Sequence, residues 1–203
     1  MAAANRDVFI NCPFDSAYQT FFRGIVFVVI RSGFRARCAL EADDASENRY
    51  AKICKIIRDC RYGIHDISRT ELDSRTGLPR FNMPLELGIF LGAKQFGISI
   101  QKAKRCIVFD REKYRYQKYI SDISGQDIHS HQAKLELLIE EVASWLRDQS
   151  RDPKVPGGRK MATEFAAFQE EMLKICAARS WEPEELTFGD YAELVTTYLT
   201  FPR

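Results

Sequence analysis

Long apolar runs are missing from the 203-residue chain; the longest, Gly24 to Ile30 (GIVFVVI), is far too short to span a bilayer. A one-sided charge is missing too. Thirty Lys and Arg oppose 28 Asp and Glu, a formal net charge of +2, which gives no electrostatic ground for a nucleic-acid or membrane-surface binder. The six cysteines show no C-x-x-C spacing and sit in apolar runs, so they are expected as reduced, buried thiols. Of three histidines, His129 and His131 form an H-x-H pair that no Cys or acidic set completes, so no metal is expected. The opening MAAANRDVFI has neither a basic region nor a long apolar one, which leads to the expectation of a cytoplasmic protein without a secretory signal.

What is present is alternation. Asp7 to Cys12 (DVFINC) is a short apolar strand that Pro13 ends, and Ser16 to Arg31 has the length and apolar content of a helix pressed on a sheet. Asp15 or Ser16 is available to cap it. Gly33 stops that helix before FRARCAL, a half-covered strand near an edge; the acidic loop EADDASEN follows. Asn48 to Cys60 repeats apolar residues at helical spacing, and YGIHDIS makes a third strand. A polar loop, RTELDSRTGLPRF, leads to the helix FNMPLELGIFLGAK, and KRCIVF and QDIHSH supply a fourth and a fifth strand, with the aromatic YRYQKYISDISG between them. Gln132 to Arg147 is again an amphipathic helix.

This order predicts an α/β fold: a flavodoxin-like three-layer sandwich with a central, mainly parallel sheet of about five strands, followed by a C-terminal helical extension. Residues 1–149 form the α/β domain, 150–160 a linker rich in charge, Pro and Gly, and 161–203 the extension. That extension is too short for a core of its own, so it either packs back on the domain or serves dimerisation.

In such a sheet the ligand crevice lies beyond the carboxyl ends of the strands, where the connections reverse. The loops selected are NCPFDSAY after the first strand and HDISRTELDSRTGLPRFN after the third. Glu86 stands out at the end of the second, the one acid in an otherwise apolar helix. Burying it unpaired costs several kcal/mol, so it either serves a site or escapes to the solvent edge or to an arginine such as Arg80. Asn82 is available as N-cap and Pro84 lies in the first turn, so the macrodipole should keep Glu86 ionised. Gly88 and Gly92 each cost about 1 kcal/mol of helix propensity, pointing to a close approach of the sheet or a ligand.

Three stretches, VFINCPFD, GIHDIS and NMPLELGIFLGAK, together resemble the nucleoside 2-deoxyribosyltransferase-like proteins and the TIR domains related to them, over roughly residues 7 to 110. The resemblance implies cleavage of an N-glycosidic bond. Pro13 and Phe14 match the Pro-Phe loop, Asp66 the residue that holds the sugar, and Glu86 the group that attacks the anomeric carbon. The ligand implied is a nucleoside or nucleotide, NAD among the candidates; no cofactor is implied, and a homo-oligomer is expected. RFNMPLE departs from the Asp-Ser or Gly-Thr loop usual ahead of that Glu, which leaves the sugar and phosphate contacts there open.

Beside these, Asp15 either binds a sugar hydroxyl or caps the first helix, and Arg69 and Arg80 either hold a phosphate or are surface charge. Glu41, Asp43 and Asp44 could hold a ribose or form a solvated loop. His65 is a candidate general acid, but strand alternation turns it away from Asp66 toward the packed interior. REKYRYQKY could stack bases or be an ordinary helix face. A non-catalytic nucleotide-sensing or oligomerising module is the alternative to the enzyme.

Overall fold

The computed structural model describes residues 5–41, 46–73 and 76–200. Five strands, β1 (Asp7–Asn11), β2 (Arg35–Arg37), β3 (Tyr62–Asp66), β4 (Arg105–Asp110) and β5 (Ile128–Ser130), form one sheet in the order β2-β1-β3-β4-β5. Every pairing is parallel. This is the flavodoxin-like order, and its switch point falls between β1 and β3. The connecting helices are α1 (Gln19–Arg31), α2 (Arg49–Asp59), α3 (Asn82–Phe96), the one-turn α4 (Ser99–Lys102) and α5 (Leu135–Ser150). Two more, α6 (Gly158–Arg179) and α7 (Phe188–Thr200), close the chain.

Period-two alternation assigns the faces. Val8, Ile10, Tyr62, Ile64, Ile107 and Phe109 join α1, α5, α6 and α7 in the main core, while Phe9 and Val108 face α2 and α3. The C-terminal helices are part of that main core: Phe165 and Phe168 pack on Phe27 of α1, and Tyr191 donates its hydroxyl to the Arg23 carbonyl. They are docked on the domain. The segment before them is short, with α5 running to Ser150 and Val155 buried before α6 begins at Gly158.

On the other face, α3 lies against β3 through a glycine, though not one of its own. A Cβ on Gly63 would come within 2.9 Å of the Phe90 ring and 2.6 Å of His65 Nε2. At Gly88 and Gly92 an added Cβ would meet nothing, so the close approach expected of them is made by the strand instead. Buried Lys104 donates to the Ile57 and Cys60 carbonyls and so satisfies the C-terminal end of α2, with its ammonium 4.7 Å from the Phe90 ring centre. All six cysteines are free. Among the described residues no helix is long and apolar enough to cross a membrane, and no cluster of His, Cys, Asp or Glu has the makings of a metal site.

Candidate functional site

Glu86 is buried, 8% exposed, and turned toward α2. It lines a cavity of about 240 Å³ whose other walls are Arg49, Tyr50 and Ile53 of α2 and Asn82, Leu85 and Ile89 of α3. Among the described residues its carboxylate accepts no hydrogen bond and forms no ion pair. It is largely withdrawn from solvent, opening onto this cavity, and does not pair with Arg80, which is exposed and lines none of the cavities described here. Burial pushes its pKa up to about 7, with Arg49 pulling weakly the other way. Burial thus works against the ionisation expected from the macrodipole. The helix starts at Asn82, so Glu86 lies beyond the first turn, where the dipole's influence fades and desolvation prevails.

Asn82 is not the cap. The N-cap is Phe81, which makes no side-chain cap bond, and Asn82 as first helical residue is free to face the Glu86 cavity. The start of α3 is tied to the sheet by Asn11, whose Nδ2 lies 2.8 Å from the Met83 carbonyl and 3.0 Å from His65 Nδ1. A carbonyl only accepts, so the amide nitrogen donates to both and His65 keeps its proton on Nε2. Nε2 is buried without a partner, and burial followed by the Lys104 charge drives the His65 pKa down to about 3. His65 is therefore a neutral packing residue, against the rings of Phe9 and Phe90, and is not the imidazolium that could protonate a leaving base near neutrality.

Asp66 points to the opposite face and is wholly enclosed. It accepts from the Tyr18 hydroxyl at 2.5 Å and the Ser68 amide at 2.8 Å, and His131 Nε2 lies 3.2 Å away. His131 accepts the Ala133 amide on Nδ1, which leaves its proton on the nitrogen facing Asp66. The carboxylate thus ties the turn before α1 to the end of β3 by hydrogen bonds, with the segment after β5 held beside it through the nearby His131, whose Nε2 makes no hydrogen bond of good geometry, and is closed to a ligand. Neither Tyr18 nor His131 was marked by the sequence as a partner of Asp66.

Between the two acids lies Cys12, buried at the end of β1; burial first, then the charges of Asp66, Cys38, Glu86 and Asp15, raise its pKa well above the usual thiol value. Pro13 is buried, and Phe14 packs edge-on against Phe22 and borders a separate small cavity near Phe188 and Tyr191. Asp15 makes no cap bond; it pairs with Arg69 at 2.7 Å, joining the loops after β1 and β3 across the switch point. Glu41 is held by Arg37, and Asp43 and Asp44 lie outside the described residues. The structure therefore brings Glu86 together with Asn82, and Asp15 with Arg69, but holds Asp66, Phe14 and Arg80 apart from the Glu86 cavity.

No family model matches the chain. None of the curated proteins matches it either.

A larger cavity, about 1100 Å³, opens beyond β4 and β5 between Arg111, Lys113, Tyr114 and His129. Its charged groups are exposed or half-buried, so it lacks the desolvated acid that distinguishes the Glu86 site. The aromatic stretch beside it is structural. Arg115 turns inward onto Asp110, the Ser68 carbonyl and Thr70, Tyr116 is buried, and the Tyr119 hydroxyl reaches the Ile67 carbonyl and Asp110. Only Tyr114 of this set stays free to stack.

Proposed function

We propose that the chain cleaves an N-glycosidic bond of a nucleoside or nucleotide, with Glu86 acting at the anomeric carbon. The observation that carries this reading is a buried, unpartnered carboxylate aimed into a cavity beside an exposed tyrosine, Tyr50. An unpaired buried acid is a standing cost that an apolar residue would avoid, and such groups cluster at functional sites. In the ionised form Glu86 bonds to, or shields, the carbon as the C–N bond breaks and its electron pair leaves with the base, which takes up a proton; water or an acceptor base then takes the sugar. The resemblance of VFINCPFD, GIHDIS and NMPLELGIFLGAK to deoxyribosyltransferase-like proteins and TIR domains supports the same chemistry.

The cavity is smaller than the ~300–1,000 Å³ usual for ligand pockets, so it suits a sugar, with the base on Tyr50 and any dinucleotide remainder outside. Asp66 serves in this reading as a positioning residue, fixing the loops of the crevice through Tyr18, Ser68 and His131. Incubation with deoxynucleosides, nucleotides and NAD, followed by chromatography of released base, tests the proposal. Wild-type protein should release base from at least one, and Glu86→Gln should lower the rate at least about a hundredfold, the scale on which a directly acting group contributes. Full release by Glu86→Gln would refute the mechanism. The enclosure of Asp66 favours a second reading, a nucleotide-sensing module without chemistry; saturable binding with no product would select it.

A further inference from the structure

Helix α3 turns Met83, Leu87 and Phe90 to the sheet and Glu86 and Ile89 to α2, and no described residue covers its outer face. At helical spacing that face carries Phe81, Leu85, Gly88, Gly92 and Phe96. Phe81 is 65%, Leu85 56% and Phe96 87% exposed, and Ile98 and Ile100 just beyond are 76% and 69% exposed. The outer helix of a sandwich ordinarily shows water a charged face; here Glu86, which points inward, is the one charged residue from Met83 to Ala93. On the α3 face itself Phe81, Leu85 and Phe96 expose roughly 400 Å² of apolar surface, about half of the ~800 Å² a stable interface takes from each partner.

We infer that this face docks a second copy of the chain, the two α3 helices crossing antiparallel about a two-fold axis near Phe90. The pattern itself names the occupant. Within α3, Leu85, Gly88, Gly92 and Phe96 read bulky, Gly, Gly, bulky from either end, and an isologous interface needs a surface that complements itself. Turned about that axis, Gly88 of one copy meets Gly92 of the other, while Leu85 meets Phe96. Neither glycine relieves any contact inside the chain, so their low helix propensity has no return there; between two helices they permit a close backbone approach. The face bears no charge, so apposing it to its copy brings no repulsion. Since Leu85 and Asn82 also wall the Glu86 cavity, the second copy roofs that cavity's mouth.

Sedimentation velocity over a range of concentrations tests this without any turnover, so its failure and failure of the glycosidic reaction are separable. The full chain should form a dimer, and Leu85→Glu and Phe96→Asp should each weaken it about tenfold or more. Leu173→Asp, at an exposed site on α6, should leave it unchanged. Unaltered far-UV circular dichroism would show that each variant folds. A wild-type chain that stays monomeric at all concentrations, or a dimer that survives both α3 variants, overturns the inference.

Discussion

At the residue scale, Glu86 is a titration experiment in waiting. Its pKa is about 7 in the folded chain and near the ordinary carboxylate value when unfolded, so the folded state holds the extra proton between those limits. Stability should therefore be greatest below the unfolded value and fall as pH rises toward and through 7. A shift of this size corresponds to about 3 kcal/mol at most. Glu86→Gln removes the titrating group, so its midpoint in urea should exceed the wild type's above pH 7 and approach it below pH ~5. A midpoint difference that does not change with pH would mean that the carboxyl is solvated. If Glu86 acts as nucleophile, the rate of base release should climb with pH through about 7, since only the ionised form attacks. The singularity of this acid was legible in the sequence as one charge in an apolar helix. Its protonation was not, because burial depends on where α2 lies, and α2 precedes it by a whole strand and loop. Asp66 illustrates the same limit: its position at the end of the third strand was legible, but the groups that enclose it, the Tyr18 donor and the nearby His131, come from distant parts of the chain.

At the scale of elements, short-range signals carried far. Strand alternation, the stop at Gly33 and the helical repeat of α2 all correspond to elements in the structure, because each reflects a period that burial imposes on one face. The cap of α2 was not read from the sequence: Asn48, there only the start of the repeat, accepts from the Ala51 amide. Contacts between elements were less legible, and the glycines show why. Gly88 and Gly92 drew attention by their cost inside a helix but meet no neighbour, whereas Gly63, inconspicuous in a strand, is pressed by one. The two kinds should respond oppositely to alanine. Gly63→Ala drives a methyl into the Phe90 ring and should cost about 1–3 kcal/mol in urea unfolding, or more if α3 cannot shift. Gly88→Ala adds a methyl in open space on an exposed helix face and should stabilise dilute protein by up to about 1 kcal/mol. Equal and small effects would place α3 farther from the sheet than described here.

For the whole molecule, the parallel sheet with helices on both faces followed from the alternation of strands and helices, whereas the role of the last helices had two readings, docked or dimerising. Packing decides between them. Phe165, Phe168, Met172, Tyr191, Leu194 and Val195 are buried in the same core as Val8 and Phe27, so α6 and α7 cover the outer side of α1 and α5. Each such side chain contributes about 1.5–3 kcal/mol when buried, and together they rival the 5–15 kcal/mol by which a whole domain is stable. A chain of residues 1–157 would keep every strand yet expose Phe27 and the faces of α1 and α5 that these helices cover. It should show no sharp thermal transition and should bind a hydrophobic dye strongly, as collapsed states without fixed packing do. A cooperative transition close to that of the full chain would instead make α6 and α7 an accessory, and their shared core with the sheet would then contribute far less than its buried area implies.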